Sequence, residues 1–194
     1  VSEILIILGT GGTIMFAGLA ILKSESLYSS QMRNRAFAVR FISDILSPLF
    51  FLPALALIPL ATASSILQAI PILVTMGAAL VLGQKVGWRR WSAITIGFIG
   101  VLLIVRPGMA GFEPASILAF LGVIFLASRD LATRVMPAVL STFTVTTYAF
   151  GTSIIAGIIL IPFFDPLIWP TIAQWRWLLI LTVLGGLSYA AIVV

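Results

Sequence analysis

The 194-residue sequence contains no cysteine and no histidine, and only 9% of its residues are charged. Without cysteine there is no disulfide framework and no thiolate metal site. Without histidine the commonest general base and the commonest metal ligand are both missing. A globular domain carries about 25% charged residues. Here 61% of the residues are hydrophobic, more apolar surface than a water-soluble fold can enclose. The net charge of +5 would suit a nucleic-acid binder. Most of the basic residues, however, stand in short turns between apolar runs, the arrangement found at membrane edges. The sequence therefore predicts a lipid bilayer as partner, no nucleic acid, no cofactor and no metal.

What is present is a series of apolar runs close to the roughly 20 residues that cross about 30 Å of hydrocarbon. The fold class expected is all-α, a polytopic helical membrane protein. Seven spans are predicted: Ile4–Leu22, Phe41–Ile58, Ala61–Leu82, Trp91–Val105, Ala115–Met136, Phe143–Phe163 and Trp177–Val194. The second and third are divided at Pro59, because one helix through both would be roughly twice the bilayer thickness. The chain opens on Val1 with no basic n-region or small-residue cleavage site ahead of the first run, so that run is not a signal peptide. It closes inside an apolar run at Val194. Both ends are read as cut, making the chain a fragment of a longer membrane protein.

Basic residues in short loops orient the spans. If the first span runs inward, Lys23, Arg33, Arg35, Arg40, Lys85, Arg89, Arg90, Arg129 and Arg134 fall on one side, and only Arg106 and Arg176 on the other. The first group is expected in the cytoplasm, with Val1 outside and Val194 inside. Glu113 and Asp165 then lie in outer loops. Trp169, Trp175 and Trp177 would form an outer aromatic belt, and Trp88 and Trp91 an inner one.

The sequence also repeats itself. Gly12-Thr13 and Ala17-Gly18 in the first span match Gly151-Thr152 and Ala156-Gly157 in the sixth, at an offset of 139 residues that also aligns Ser2 with Ser141. Spans five apart in order cross the membrane in opposite senses, so the match is either an inverted repeat, an architecture of secondary transporters, or a chance coincidence of the glycine and alanine common in membrane helices. Thr13 and Ala17, like Thr152 and Ala156, have the small-xxx-small spacing of close helix approach, which favours packing over substrate contact.

One stretch carries a family resemblance. Ile58-Pro59-Leu60-Ala61-Thr62-Ala63 leads into Pro71-Ile72-Leu73-Val74-Thr75. Then follow Leu82-Gly83-Gln84-Lys85-Val86-Gly87-Trp88-Arg89-Arg90-Trp91, Gly97-Phe98-Ile99-Gly100-Val101-Leu102-Leu103-Ile104 and Arg106-Pro107-Gly108. This resembles the drug/metabolite transporter superfamily in its EamA-like branch, most clearly from Pro59 to Gly108. The resemblance implies ten spans in two five-span repeats, with both ends cytoplasmic. Residues 1–108 would be the last four helices of the first repeat, and residues 109–194 the first three of the second. It also implies that the fifth span lines a central cavity. The family usually has an acidic residue after the glycine of the basic turn, where this chain has Gln84.

Charges within hydrocarbon are costly and are functional candidates by default. Asp44, four residues after Arg40, marks either a proton path or an interfacial ion pair reaching back to water. Asp130 is spaced to pair with Arg134 one turn on. That spacing leaves Arg129 either to reach lipid phosphate or to face an inner cavity. Gln68 lies three residues before Pro71, which frees the carbonyl of residue 67 and kinks the helix. A kink beside an amide suits a binding spot at the midplane, or Gln68 makes an interhelical hydrogen bond. Tyr148 and Tyr189 complete the substrate-pathway candidates Gln68, Pro71, Arg129, Tyr148 and Tyr189. Asp44 and Asp130 are the candidates for ion or proton coupling.

The function expected is secondary transport of a small metabolite, as permease or exporter, by alternating access across the inner (plasma) membrane. A homodimer is a further expected assembly. No Walker A pattern supports ATP drive. An intramembrane enzyme would need a histidine base, a metal cluster or facing acids, and a passive scaffold or assembly subunit is the remaining alternative.

Overall fold

A computed structural model describes residues 2–106, 112–137, 139–164 and 170–193, with side chains described throughout except at 30, 31, 172, 173 and 186–193. Pro107, Gly108, Asp165 and Trp169 lie outside the described residues. The backbone among them folds into helices α1 (Ser2–Leu22), α2 (Arg35–Leu57), α3 (Leu60–Leu67), α4 (Ile70–Leu80), α5 (Trp88–Val105), α6 (Ala115–Arg134), α7 (Thr142–Leu160) and α8 (Ile172–Val193). In hydrocarbon every backbone amide needs a partner, and a helix supplies them all internally. Six described helical stretches are long and apolar enough to cross a membrane, α3 and α4 counting as one from Leu60 to Leu80. The chain is a polytopic helical membrane protein.

Several edges differ from the hydropathy reading. Helix α2 starts at Arg35 rather than Phe41, because Arg35 and Arg40 are good helix formers outside the apolar window. Helix α2 also continues through Pro48 and Pro53. Each proline lacks an amide hydrogen, so the carbonyls of Asp44 and Leu49 lose their usual helical partners. The third span is interrupted at Gln68 and Ala69. The Ala69 amide donates to the Ile66 carbonyl at 3.0 Å, a tightened turn that ends α3 just before Pro71. The basic turn closes at Gly83, whose φ of +65° is open to glycine without strain. There the Gln84 amide donates back to the Ala78 carbonyl at 3.0 Å.

The helices form two compact units, residues 1–41 with 136–194 and residues 42–135. In the first unit α1 packs along α7, and the contacts define an antiparallel pair. A methyl group added at Gly157 would meet Ile6 Cγ1 at 2.7 Å, and one added at Gly9 would meet the Phe150 carbonyl at 2.9 Å. A methyl at Gly12 would collide with the Phe150 ring, and one at Gly151 would touch Thr13 Oγ1 at 4.0 Å. Gly12 and Gly151, the residues matched by the 139-residue offset, thus sit near the centre of the crossing. Phe16 fills the space beyond, stacked on Phe150 at 5.5 Å and 6.4 Å from Phe143. Thr152 and Ala156 are fully buried. Lipid is as apolar as the side chains, so close van der Waals contact rather than solvent exclusion holds such helices together.

The second unit has a core of small and branched residues. Ala54, Ile66, Ala69, Leu73, Val101, Ala119 and Val123 are buried together, which brings α2 to α6 into one cluster. Gly122 of α6 faces Phe51 of α2, and a methyl there would lie 2.7 Å from Phe51 Cβ. Phe50 stacks on Phe125 at 5.5 Å. Trp88 and Trp91 are exposed near the start of α5, as an aromatic belt requires.

Candidate functional site

Between α2 and α6, within the second unit, three charged side chains meet. Asp44 lies nine residues into α2, about 14 Å along its axis at about 1.5 Å per residue. Its carboxylate is 9% exposed and stands 3.8 Å from Arg129 Nε of α6. Arg129 donates from Nε to Asp130 Oδ1 at 3.0 Å and from Nη2 to the same oxygen at 2.8 Å. Arg129 thus bridges a carboxylate on each of the two helices.

This corrects the pairing read from helical spacing. Among the described residues Asp130 forms its ion pair with Arg129 and none with Arg134. Neighbouring helix positions point about 100° apart, but the long arginine stem swings the guanidinium back over the next residue. Arg129 bridges two acids and keeps a third of its side chain exposed. The α2 backbone around Asp44 is polar as well. Ser43 and Ser47 are buried, and Pro48 leaves the Asp44 carbonyl without its helical donor. Pro48 was the available sequence signal for this patch, overlooked because it stands inside an apolar run.

The other candidates are placed elsewhere. Gln68 ends α3 and is exposed, and Pro71 opens α4 and is also exposed. Pro71 lines a cleft with Thr75 and Ile94. Tyr148, in the first unit, donates its hydroxyl to the Leu27 carbonyl at 3.3 Å and takes the edge of the Phe37 ring at 5.5 Å. It belongs to a row along α7 that fastens the segment after α1. Ser141 bonds to Glu25, and Thr144 Oγ1 donates to the Ser26 carbonyl at 3.1 Å. Tyr189 is on α8, and its side chain lies outside the described residues.

Comparison with known proteins follows the same direction. Over 94 residues the chain is 30% identical to a riboflavin transporter of Rhizobium johnstonii, covering 48% of this chain and 31% of that protein. It is 29% identical over 80 residues to an S-adenosylmethionine uptake transporter of Rickettsia prowazekii, 41% of this chain and 27% of that one. It is 23% identical over 194 residues to a pseudopaline exporter of Pseudomonas aeruginosa, 96% of this chain and 65% of that one. The chain thus spans less than two thirds of each. No solved structure matches it. The model of the EamA-like transporter family matches residues 3–106, more than half of the 194. On that match the chain belongs to the EamA-like transporter family.

Proposed function

We propose that this chain forms part of a secondary transporter that moves a small polar or amphipathic metabolite across the inner (plasma) membrane by alternating access, coupled to protons through Asp44 and Asp130. The observation that carries the reading is the Asp44–Arg129–Asp130 cluster inside two membrane-spanning helices. Ionisable groups at such depth are expensive, and are kept where an ion or substrate needs them. In this reading Asp44 is the group that binds and releases the proton. Protonation of Asp44 removes one of the two charges that hold Arg129, leaving the guanidinium bound to Asp130 alone. Proton occupancy would in this way bias how α2 and α6 associate.

The architecture proposed has two inverted five-helix repeats, residues 1–108 supplying four helices of the first and 109–194 three of the second. The face-to-face position of Gly12 and Gly151 supports this, since equivalent residues meet at the pseudo-two-fold axis of an inverted pair. Gln68, Pro71, Arg129, Tyr148 and Tyr189 remain the proposed substrate-pathway residues. At the break near Gln68 the Leu67 carbonyl lacks its usual helical donor, because Pro71 has no amide hydrogen, and discontinuous transporter helices use such acceptors. The basic loops are placed in the cytoplasm by the charge asymmetry of the loops.

The test uses the protein in proteoliposomes with a labelled metabolite panel that includes the substrates of its relatives. Asp44→Asn should lower flux driven by a pH gradient. Exchange of substrate across equilibrated vesicles should persist. Unchanged gradient-driven flux in Asp44→Asn would remove the coupling role, and no flux of any metabolite by the wild type would remove transport itself.

A further inference from the structure

A second polar feature of residues 42–135 takes no part in the charge cluster. A cleft of about 370 Å3 opens between α4, α5, the basic turn and the end of α6. Its rim is formed by Gln84 of the turn, Arg90 in the first turn of α5, and Arg134, the last residue of α6. Its floor follows one side of α4 through Ala78, Thr75 and Pro71. Those residues are seven positions apart end to end, so the floor runs about 10 Å inward from the helix end.

Three observations bear on its occupant. No aspartate or glutamate is among the residues that line it. Among the described residues, neither Arg90 nor Arg134 forms an ion pair. Both arginines stand at ends of helices long and apolar enough to cross a membrane, where such helices meet the headgroup region, while the floor follows α4 away from that end. A soluble anion would use the rim and leave the floor empty. An amphipathic anion fills both.

We propose that this cleft is a binding site for an anionic phospholipid, the phosphodiester held by Arg90 and Arg134 and the first part of an acyl chain lying along α4 toward Pro71. Arginine matches phosphate through its planar fork of donors. Basic pockets between membrane helices draw acidic headgroups for the same electrostatic reason. The neutral amide of Gln84 hydrogen-bonds without cancelling the field of the two cations. The site shares Pro71 with the proposed substrate pathway, but its test reads lipid retention and not flux.

Native mass spectrometry of the purified protein in detergent tests it, with phosphatidylglycerol, phosphatidylcholine and glycerol 3-phosphate added in turn. Phosphatidylglycerol should be retained on the order of tenfold more than phosphatidylcholine, the scale expected of two arginines at an acidic headgroup. The double substitution Arg90→Gln with Arg134→Gln should remove that preference. Gln84→Glu, which sets a carboxylate between the arginines with no change in shape, should weaken it several-fold. Lys85→Gln, outside the cleft, should leave it unaltered. These positions are exposed, and an unchanged elution profile confirms that each variant is folded. Equal retention of the two lipids, or an undiminished preference in both the double variant and Gln84→Glu, would overturn the proposal. So would displacement of phosphatidylglycerol by equimolar glycerol 3-phosphate, which would make the site one for soluble phosphates.

Discussion

Arg129 decides what the charged residues of this chain are for. Alone on a membrane helix it would seek lipid phosphate, yet it joins the carboxylates of two helices. Breaking a buried pair by removing one partner costs about 3–5 kcal/mol when burial is complete. Arg129 is a third exposed, so solvent screening reduces the figure to about 1–3 kcal/mol. Arg129→Leu should therefore lower the midpoint of thermal unfolding in detergent, followed by tryptophan fluorescence. Adding Asp44→Asn should recover part of the loss, because one of the two carboxylates that lose Arg129 is neutralised. A double variant no more stable than Arg129→Leu would show that the two residues are not coupled. The partners of these charges were only partly legible in the sequence. Helical spacing proposes Arg134 for Asp130, but it cannot propose a residue on another helix for Asp44. That pairing depends on how α2 lies against α6.

At the scale of elements, the spans were legible because hydrocarbon imposes length and composition directly. Their exact edges were less so. Charged residues prolong α2 and α5 beyond their apolar windows, since a helix can run on into the headgroup region. The interruption near Gln68 was readable from Pro71, whereas Pro48 and Pro53 stay within α2 and show that proline alone does not fix a break. Packing of α1 on α7 rests on glycines at the crossing. Gly12→Val should push the helices apart against the Phe150 ring, with a loss on the order of the 1–3 kcal/mol typical of overpacking. Phe150→Ala combined with Gly12→Val should restore part of the stability by making room. The yield of folded, monodisperse protein and its unfolding midpoint measure both effects. If Gly12→Val behaves as wild type, close approach at Gly12 does not hold the pair together.

At the scale of the whole molecule, the proposed topology rests on the asymmetry of nine basic residues against two, with Lys85 expected in the cytoplasm and Glu113 outside. Lys85→Cys should react with an impermeant maleimide only after the cells are permeabilised. Glu113→Cys should react in intact cells. The native chain has no cysteine to confuse the readout. Labelling in the reverse pattern would invert the proposed topology, and with it the leaflet that faces the Arg90–Arg134 cleft.

The sequence by itself determined the solvent, the helical class and the family. Each depends on local composition, hydrophobic length or a contiguous motif, and none needs a long-range contact. Only the tertiary structure decided that Asp44 meets Arg129, that Gly12 lies near Gly151, and that Gln84, Arg90 and Arg134 share one cleft. Residues so far apart in the chain are joined by the rotation and crossing of packed helices. In a bilayer those are set by the close fit of small residues and large rings, which hydropathy does not record.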